Sequence, residues 1–506
     1  MSIYNIDFTS YEQTFKVKEE DKKQYGEIYT PFSLIDQMLD TFDPRVFTDP
    51  TKRWLDVGAG RGYITMKVFE RLNKGLASSF ADELLRKKHI LTRMLFLVEI
   101  KADNVIALKE MFGAEANIFH ADFCGSAPAL GAAAVAAPAL GAAAAAAAPA
   151  PALDVLQNMD FIIGNPPYNV NGLKKVPTEK TRSKKEDGTT LWRDFIHKSL
   201  ALLKPMTGQL CLIVPSIWLK PDQYGIHQKL TQYKIEKIHC FSGNETNTFF
   251  KGAAQTPTCF FLLTNCAKPA THMLRVYDKD RASYVFFAHQ PGTPIPLFGQ
   301  HIIKKLQPWI EAATVGPLTV LKSNMPSKKT TFSTDLNEST ASTSTTHPYP
   351  NIKTCLLEGT APTLLVNYSD IPQAFHGVKK IVMAHKMYGF PYFDKCGHYG
   401  ISNRDNYVIC GKTDAEFEQL QRFLASKLVL YIFEAARYRM KCLEKYAFQF
   451  IPDITRISGF PRLEPTATMD EIDILLANYF GLDEIDMRYI NRLHKKSYKP
   501  FLHYTF

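Results

Sequence analysis

No apolar stretch of this chain approaches the roughly 20 residues that a bilayer-spanning helix needs, which argues against a helical membrane protein. The opening segment, MSIYNIDFTSYEQTFKVKEE, lacks the apolar core of a signal peptide, so a soluble intracellular protein of cytoplasm or nucleus is expected, not a secreted one. Cys-x-x-Cys is absent. The nine cysteines are odd in number and scattered, which excludes a regular disulfide framework and a thiolate zinc centre, and no metal is expected. Charge of one sign does not dominate either: 60 Lys and Arg face 50 Asp and Glu, a formal net charge of +10. Spread over so much surface, that excess permits a polyanionic partner without requiring one.

What is present begins with length. A chain of 506 residues is too long for one ordinary core, so at least two domains are expected. From about Lys52 to Thr264 short apolar runs alternate with amphipathic stretches, the pattern of βα units around a largely parallel sheet. Seven strands are marked by RWLDVG, LFLVEI, NIFHAD, DFIIGN, GQLCLIVP, EKIHCF and TCFFLLT. Two segments interrupt them. Residues 125–152 are Ala- and Pro-rich and repeat APALGAAA at Ala127–Ala134 and Ala137–Ala144, a low-complexity insert. Residues 173–190 (LKKVPTEKTRSKKEDGTT) form a basic loop. A Ser/Thr-rich stretch between about Ser323 and Pro350 reads as a loop or linker, followed by sheet-like residues and one helical stretch from Asp414 to about Arg439. The expected fold class is α/β: a Rossmann-like domain over 1–300 with a mostly parallel seven-stranded sheet, then a mixed α/β domain over 301–506.

The chemistry-bearing residues sit at strand ends. In LDVGAGRGYIT, Asp56, Gly58 and Gly60 follow a strand and lead into a helix, a loop that lets backbone approach a ligand closely. Glu99, followed by Ile100, ends the next strand, where a carboxylate can hold a ribose diol by two hydrogen bonds. Glu99-Ile100-Lys101 is also half of a nuclease centre, but the acid it would need upstream, Asp82, falls in a helix-like stretch. Asp122 ends the third strand with Phe123 beside it, an acceptor and a flat face that suit an adenine moiety.

The fourth strand ends in Asn165-Pro166-Pro167-Tyr168. The lone pair of an exocyclic adenine amine is delocalised into the ring, so its attack on a methyl donor improves when two acceptors draw its hydrogens out of plane. Asn165 offers a side-chain oxygen and Pro166 a backbone carbonyl, the fixed φ of two prolines holds the carbonyl direction, and no N–H competes. Tyr168 supplies a flat face for a base taken out of the helix stack.

These residues resemble S-adenosylmethionine-dependent DNA adenine-N6 methyltransferases of the TaqI-type (gamma) order, which include the methyltransferase parts of single-chain restriction-modification enzymes. The resemblance starts at Gly26-Glu27-Ile28-Tyr29-Thr30-Pro31 and runs through LDVGAGRG, HILTRMLFLVEIKADNV, HADF, GNPPYNV and LWRDFIHKSLALLKPMTGQLCLIVPSIWL to Thr264. It implies that Tyr29, Thr30 and Pro31 lie beside the methionine end of the cofactor, with Asp56, Gly58 and Gly60 under it. Glu99 would meet the ribose and Asp122 and Phe123 the adenine, with Ile100 also among the cofactor-binding residues. In NTFFKGAAQ, Phe250 aligns with the family's second stacking ring, with Phe249 one residue away. FLASKLVLY and YFGLDEIDMRYI resemble stretches of target-recognition regions.

The implied activity is that of a site-specific DNA adenine methyltransferase that flips its target base, with S-adenosyl-L-methionine as cofactor and double-stranded DNA as partner. A separate cognate restriction endonuclease is compatible with it, since a nuclease module in the same chain has only the 25 residues before Gly26 to occupy. The same Asn-Pro-Pro-Tyr device serves enzymes acting on RNA bases or protein glutamine, and a catalytically idle DNA-binding subunit is the rival from another class.

Overall fold

The computed structural model describes residues 3, 28–125, 153–169, 190–222, 224–252, 254, 256–323, 325–333, 346–358, 361–385, 390–403, 406–439 and 443–497. The Ala-rich insert after Gly125, the basic loop before Thr190, and Gly26 and Glu27 lie outside the described residues. The chain forms two compact units, Met1–Trp218 with Asp222–Arg275, and Leu219–Pro221 with Val276–Phe506, where the sequence suggests a division at 300/301.

In the first unit, helix α1 (Phe32–Leu39) precedes strand β1 (Trp54–Val57) and helix α2 (Tyr63–Gly75). Helix α3 (Glu83–His89) and a π-helical turn at Ile90–Met94 fill the connection to β2 (Leu95–Glu99), which is why Glu99 lies so far along the chain from the glycine loop. Helix α4 (Ala102–Phe112), β3 (Asn117–His120), β4 (Phe161–Gly164), α5 (Trp192–Leu202) and β5 (Gln209–Pro215) follow. The unit continues with α6 (Ile226–Thr231), β6 (Tyr233–Phe241), α7 (Gly243–Phe249) and β7 (Thr258–Ala267). All seven anticipated strands form. Their order is β3-β2-β1-β4-β5-β7-β6, parallel from β3 to β5, with β7 antiparallel to both its neighbours. The sheet as a whole counts nine strands, not seven, because β8 (Leu274–Asp278) and β9 (Ser283–Phe287) also belong to it.

Parallel strands covered on both faces are written as unbroken apolar runs. Thus β1, β2 and β4 are buried at every position, including Asp56 and Glu99 at 4% and 6% exposure. Trp54 stacks on Phe161 with ring centroids 4.2 Å apart, tying β1 to β4, and Leu34, Ile35 and Met38 of α1 are buried in the same cluster. Each such side chain contributes roughly 1.5–3 kcal/mol on burial. The order reverses between β1 and β4, since the chain leaves β1 outward through β2 and β3 and returns to β4 on the other side. In open α/β sheets ligands bind beyond the carboxyl ends of the strands at such a reversal.

The second unit carries helix α8 (Gln300–Glu311) and two small sheets. One comprises β10 (Phe332–Ser333), the antiparallel pair β11 (Tyr349–Glu358) and β12 (Ala361–Ser369), and β15 (Gly400–Ile401). The other joins β13 (Lys380–Ala384), β14 (Tyr392–Asp394) and β16 (Asn406–Cys410) in antiparallel fashion. The single helical stretch expected from Asp414 is two helices, α9 (Asp414–Ala425) and α10 (Lys427–Ala435). Ser426 divides them, with extended backbone (φ −64°, ψ 154°) and a side chain that accepts from the Val429 amide. Helices α11 (Met469–Phe480) and α12 (Glu484–Ser497) complete the unit.

Candidate active site

The carboxyl ends of the neighbouring strands β1, β2 and β4 bring Asp56, Glu99 and Asn165 to one edge of the sheet. Glycine is needed twice here. At Gly60 the backbone takes φ +54° with open space where a side chain would stand, while its amide donates to Glu99 Oε2 at 2.7 Å. At Gly164 a Cβ would lie 2.8 Å from both the carbonyl oxygen and a methyl of Val57, so the end of β4 closes directly on the end of β1.

Asp56 is buried and strongly perturbed. Its Oδ2 accepts from the Thr65 hydroxyl at 2.7 Å, whereas Oδ1 is buried with no hydrogen-bond partner. Burial, reinforced by the nearby Glu99 and opposed by Thr65, pushes its pKa up to about 7. Glu99 is held from two sides, by the Gly60 amide and by the Lys101 amide at 2.8 Å on Oε1. Ile100 beside it is 51% exposed, and Asp122 is exposed with Oδ1 accepting from the Cys124 amide at 2.9 Å. Phe123 is buried, its ring 5.1 Å from that of Phe195 and 5.4 Å below Lys198 Nζ.

At the end of β4, Asn165 is half-buried and Pro166 buried. The Asn165 Nδ2 donates to Thr30 Oγ1 at 3.0 Å, and among the described residues nothing donates to Asn165 Oδ1 or the Pro166 carbonyl. Tyr168 is half-buried as a ring but its hydroxyl is buried and unpartnered, and burial, then the neighbouring Cys259, pushes the phenol well above its ordinary pKa. The Tyr168 carbonyl accepts from the Leu191 amide at 3.1 Å, and Asn169 bridges Thr190 in antiparallel fashion.

Pro31 caps α1, placing Tyr29 edge-on to Tyr63 at 4.4 Å. Lys251 Nζ stands 6.0 Å from the Tyr29 ring centroid, so the connection after α7 reaches the same region. Phe250 is buried in the first unit's core cluster, against which Tyr29 and the half-buried Phe249 pack, and Phe249 meets Phe241 edge-on at 5.1 Å.

Thr65 and the Thr30–Asn165 bond were not visible in the sequence reading. The first had a signal, a hydroxyl inside the first turn of the helix that follows the glycine loop. The second joins residues 135 positions apart and had none. Asp82, the acid that the nuclease alternative would use, instead caps α3 by accepting from the Leu84 and Leu85 amides.

Residues 134–249, which include Asn165 to Tyr168, match the family of Eco57I restriction-modification methylases. A 75-residue stretch is 37% identical to an adenine-specific methylase of Mycoplasma pneumoniae described as uncharacterized, covering 14% of this chain and 18% of that protein. Among solved structures, a modification subunit of a type I restriction enzyme from Vibrio vulnificus is 14% identical, over 56% of this chain and 52% of its own, with a TM-score of 0.34. A nuclease-deletion mutant of the Type ISP restriction-modification enzyme LlaGI, bound to a DNA substrate mimic, is 12% identical over 59% of this chain and 29% of its own, with a TM-score of 0.38. This chain is therefore similar to adenine-specific methylases of restriction-modification systems, and it spans about half or less of each of these relatives.

Proposed function

We propose that this chain is a DNA adenine-N6 methyltransferase of the restriction-modification type, its first unit catalytic and its second reading the target. The observation that carries the reading is the Asn165 amide, whose NH2 end is engaged by Thr30 and whose oxygen, like the Pro166 carbonyl, meets no donor among the described residues. Two fixed acceptors and no competing N–H suit a planar amine that must give up its conjugation before it can attack.

These strand ends also suit S-adenosylmethionine. Among the described residues Asp56 Oδ1 is a buried acceptor without a partner, Gly60 leaves open space over the loop, and two backbone amides fix Glu99 at the end of β2. Asp56 would take the methionine amino group, Glu99 the ribose, and Asp122 with Ile100 the adenine. When bound, the cofactor supplies an electrophilic methyl group. The chain's own residues do the rest: Asn165 Oδ1 and the Pro166 carbonyl accept the two N–H bonds of the target amine and favour its pyramidal form. Tyr168 covers one face of the extruded base, and Phe250 is the ring proposed for the other. Base–aromatic contacts of roughly 1–3 kcal/mol each are comparable to the cost of unstacking a base.

Purified protein should transfer a labelled methyl group from S-adenosylmethionine to duplex DNA without added metal, leaving N6-methyladenine at a fixed sequence. Asn165→Ala should lower the transfer rate on the order of 10²–10³-fold, the scale of losing one preorganised hydrogen-bonding group. Transfer to RNA or to protein glutamine but not to DNA would reject the substrate, and full activity of Asn165→Ala would reject the mechanism.

A further inference from the structure

An asparagine amide has two ends of nearly the same shape and opposite chemistry. Rotated by 180° about its terminal bond, Asn165 would present two N–H groups where the target amine needs an acceptor. Resting on the function proposed above, we propose that Thr30 is a positioning residue that fixes the place of the Asn165 amide and satisfies its Nδ2 when the oxygen faces the target.

The geometry supports this in three ways. Thr30 Oγ1 lies 3.0 Å from Asn165 Nδ2, and Thr30 is only 5% exposed, so water is poorly placed to substitute for it. The hydroxyl is itself held firmly. A β-branched side chain has restricted χ1, and the residue before a proline is confined to extended backbone. Pro31 (φ −62°, ψ 146°) anchors the start of α1, its carbonyl accepting from the Leu34 and Ile35 amides at 3.0 Å each, and Leu34, Ile35 and Met38 are buried. Thr30 is therefore fixed to a packed helix, and the amide is held from outside its own segment.

A hydroxyl can donate as well as accept, so Thr30 could also bond to the inverted amide. The target amine decides between the two arrangements, because it brings only N–H bonds and is repelled by the inverted form. Thr30 makes the productive form free of an unsatisfied buried N–H. Valine, of nearly the same shape, removes that partner and leaves Nδ2 unpaired in either arrangement. This differs from a role beside the methionine end of the cofactor, which would show in cofactor binding.

The test compares wild type, Thr30→Val and Thr30→Ser. Single-turnover methyl transfer would be measured at saturating S-adenosylmethionine on duplex DNA from a methylation-deficient host, cofactor affinity by equilibrium dialysis, and the Asn165 amide by a crystal structure of Thr30→Val. The expected result is a rate on the order of 10²-fold lower in Thr30→Val, unchanged cofactor affinity, rescue by Thr30→Ser, and a displaced or rotated amide. A wild-type rate at saturation, or a loss confined to cofactor affinity, would overturn the proposal, as would an Asn165 side chain that keeps its place without the hydroxyl. Failure of the wild type to methylate DNA would instead reject the function proposed above, and the crystal structure would still decide whether Thr30 holds the amide.

Discussion

At the scale of single residues, two buried polar atoms without partners near the strand ends make opposite predictions. The Tyr168 hydroxyl is buried and unpaired, so it costs stability and adds nothing to the flat face of the ring. Tyr168→Phe should retain most of the methyl transfer and raise stability by about 1 kcal/mol, measured by denaturant unfolding, whereas Tyr168→Ala should lose transfer. A large loss of rate in Tyr168→Phe would mean that the hydroxyl acts in the reaction. Asp56 Oδ1, by contrast, is an unpaired acceptor that a cation would satisfy. With a folded pKa raised to about 7 against an unfolded value near 3.9, the folded state keeps a proton that the unfolded chain has lost between those two values. Stability of the cofactor-free protein therefore falls as pH rises through that window, by a few kcal/mol in all. Asp56→Asn should melt higher than wild type at pH 7.5, with a difference that shrinks toward pH 4, while its affinity for S-adenosylmethionine drops. Equal melting temperatures at both pH values would show that Asp56 is not desolvated.

At the scale of elements, legibility followed the physics of burial. The seven strands were readable because fully buried parallel strands are short apolar runs bounded by turn residues, as FIIG and LFLVE show. The break at Ser426 was not, because the apolar period runs on from Leu424 to Leu428 and only the Ser426–Val429 cap reveals that the helix restarts. The extra strands β8 and β9 are hard to read because each is only five residues long, β8 alternating buried with half-buried positions and β9 burying only its last residue, Phe287. At the site itself, strand-end acids and the Asn-Pro-Pro-Tyr segment are local patterns, while the bonds that orient them are not local. Gly164 connects the two kinds of information. Gly164→Ala would force the carbonyl of Val57 and its side chain apart from β4 at a contact of 2.8 Å. It should destabilise the first unit by about 1–3 kcal/mol, the usual cost of overpacking, and lower transfer further by shifting Asn165, seen as a reduced rate at saturating cofactor. A variant with wild-type melting and rate would show that the strand ends have slack.

Across the whole chain, the second unit holds a buried ionic node that no sequence pattern announces. His301 lies between Asp278, which bonds Nδ1, and Asp486, whose Oδ1 is 3.1 Å from Nε2, and Lys305 and Arg281 also reach Asp486. Burial works against the charged imidazole, but the two carboxylates outweigh it and hold His301 up at about 9. Burial likewise opposes the charge on Asp486, and His301 with Lys305 outweighs it, holding the carboxyl well below its usual range. The His301 contribution is full below its unfolded value near 6.5 and is lost as pH rises through about 9. That of Asp486 is present above the ordinary carboxylate range and fades as pH falls toward its depressed value. The melting temperature of the second unit should therefore decline between about pH 6.5 and 9, and His301→Gln should abolish that decline while destabilising by about 3–5 kcal/mol. A decline that persists unchanged in His301→Gln would assign it to other groups.

The contacts that close the segment after Tyr168 have one more consequence. The Leu191 amide on the Tyr168 carbonyl and the Asn169–Thr190 bridge join the two ends of a 20-residue excursion, 170–189, independently of what lies between them. Loop-closure entropy grows only with the logarithm of length, about 0.6 kcal/mol for each doubling. The sequence after Tyr168 can therefore change in length or in its basic residues at little thermodynamic cost, while these two contacts keep Tyr168 and Asn169 beside Thr190 and Leu191.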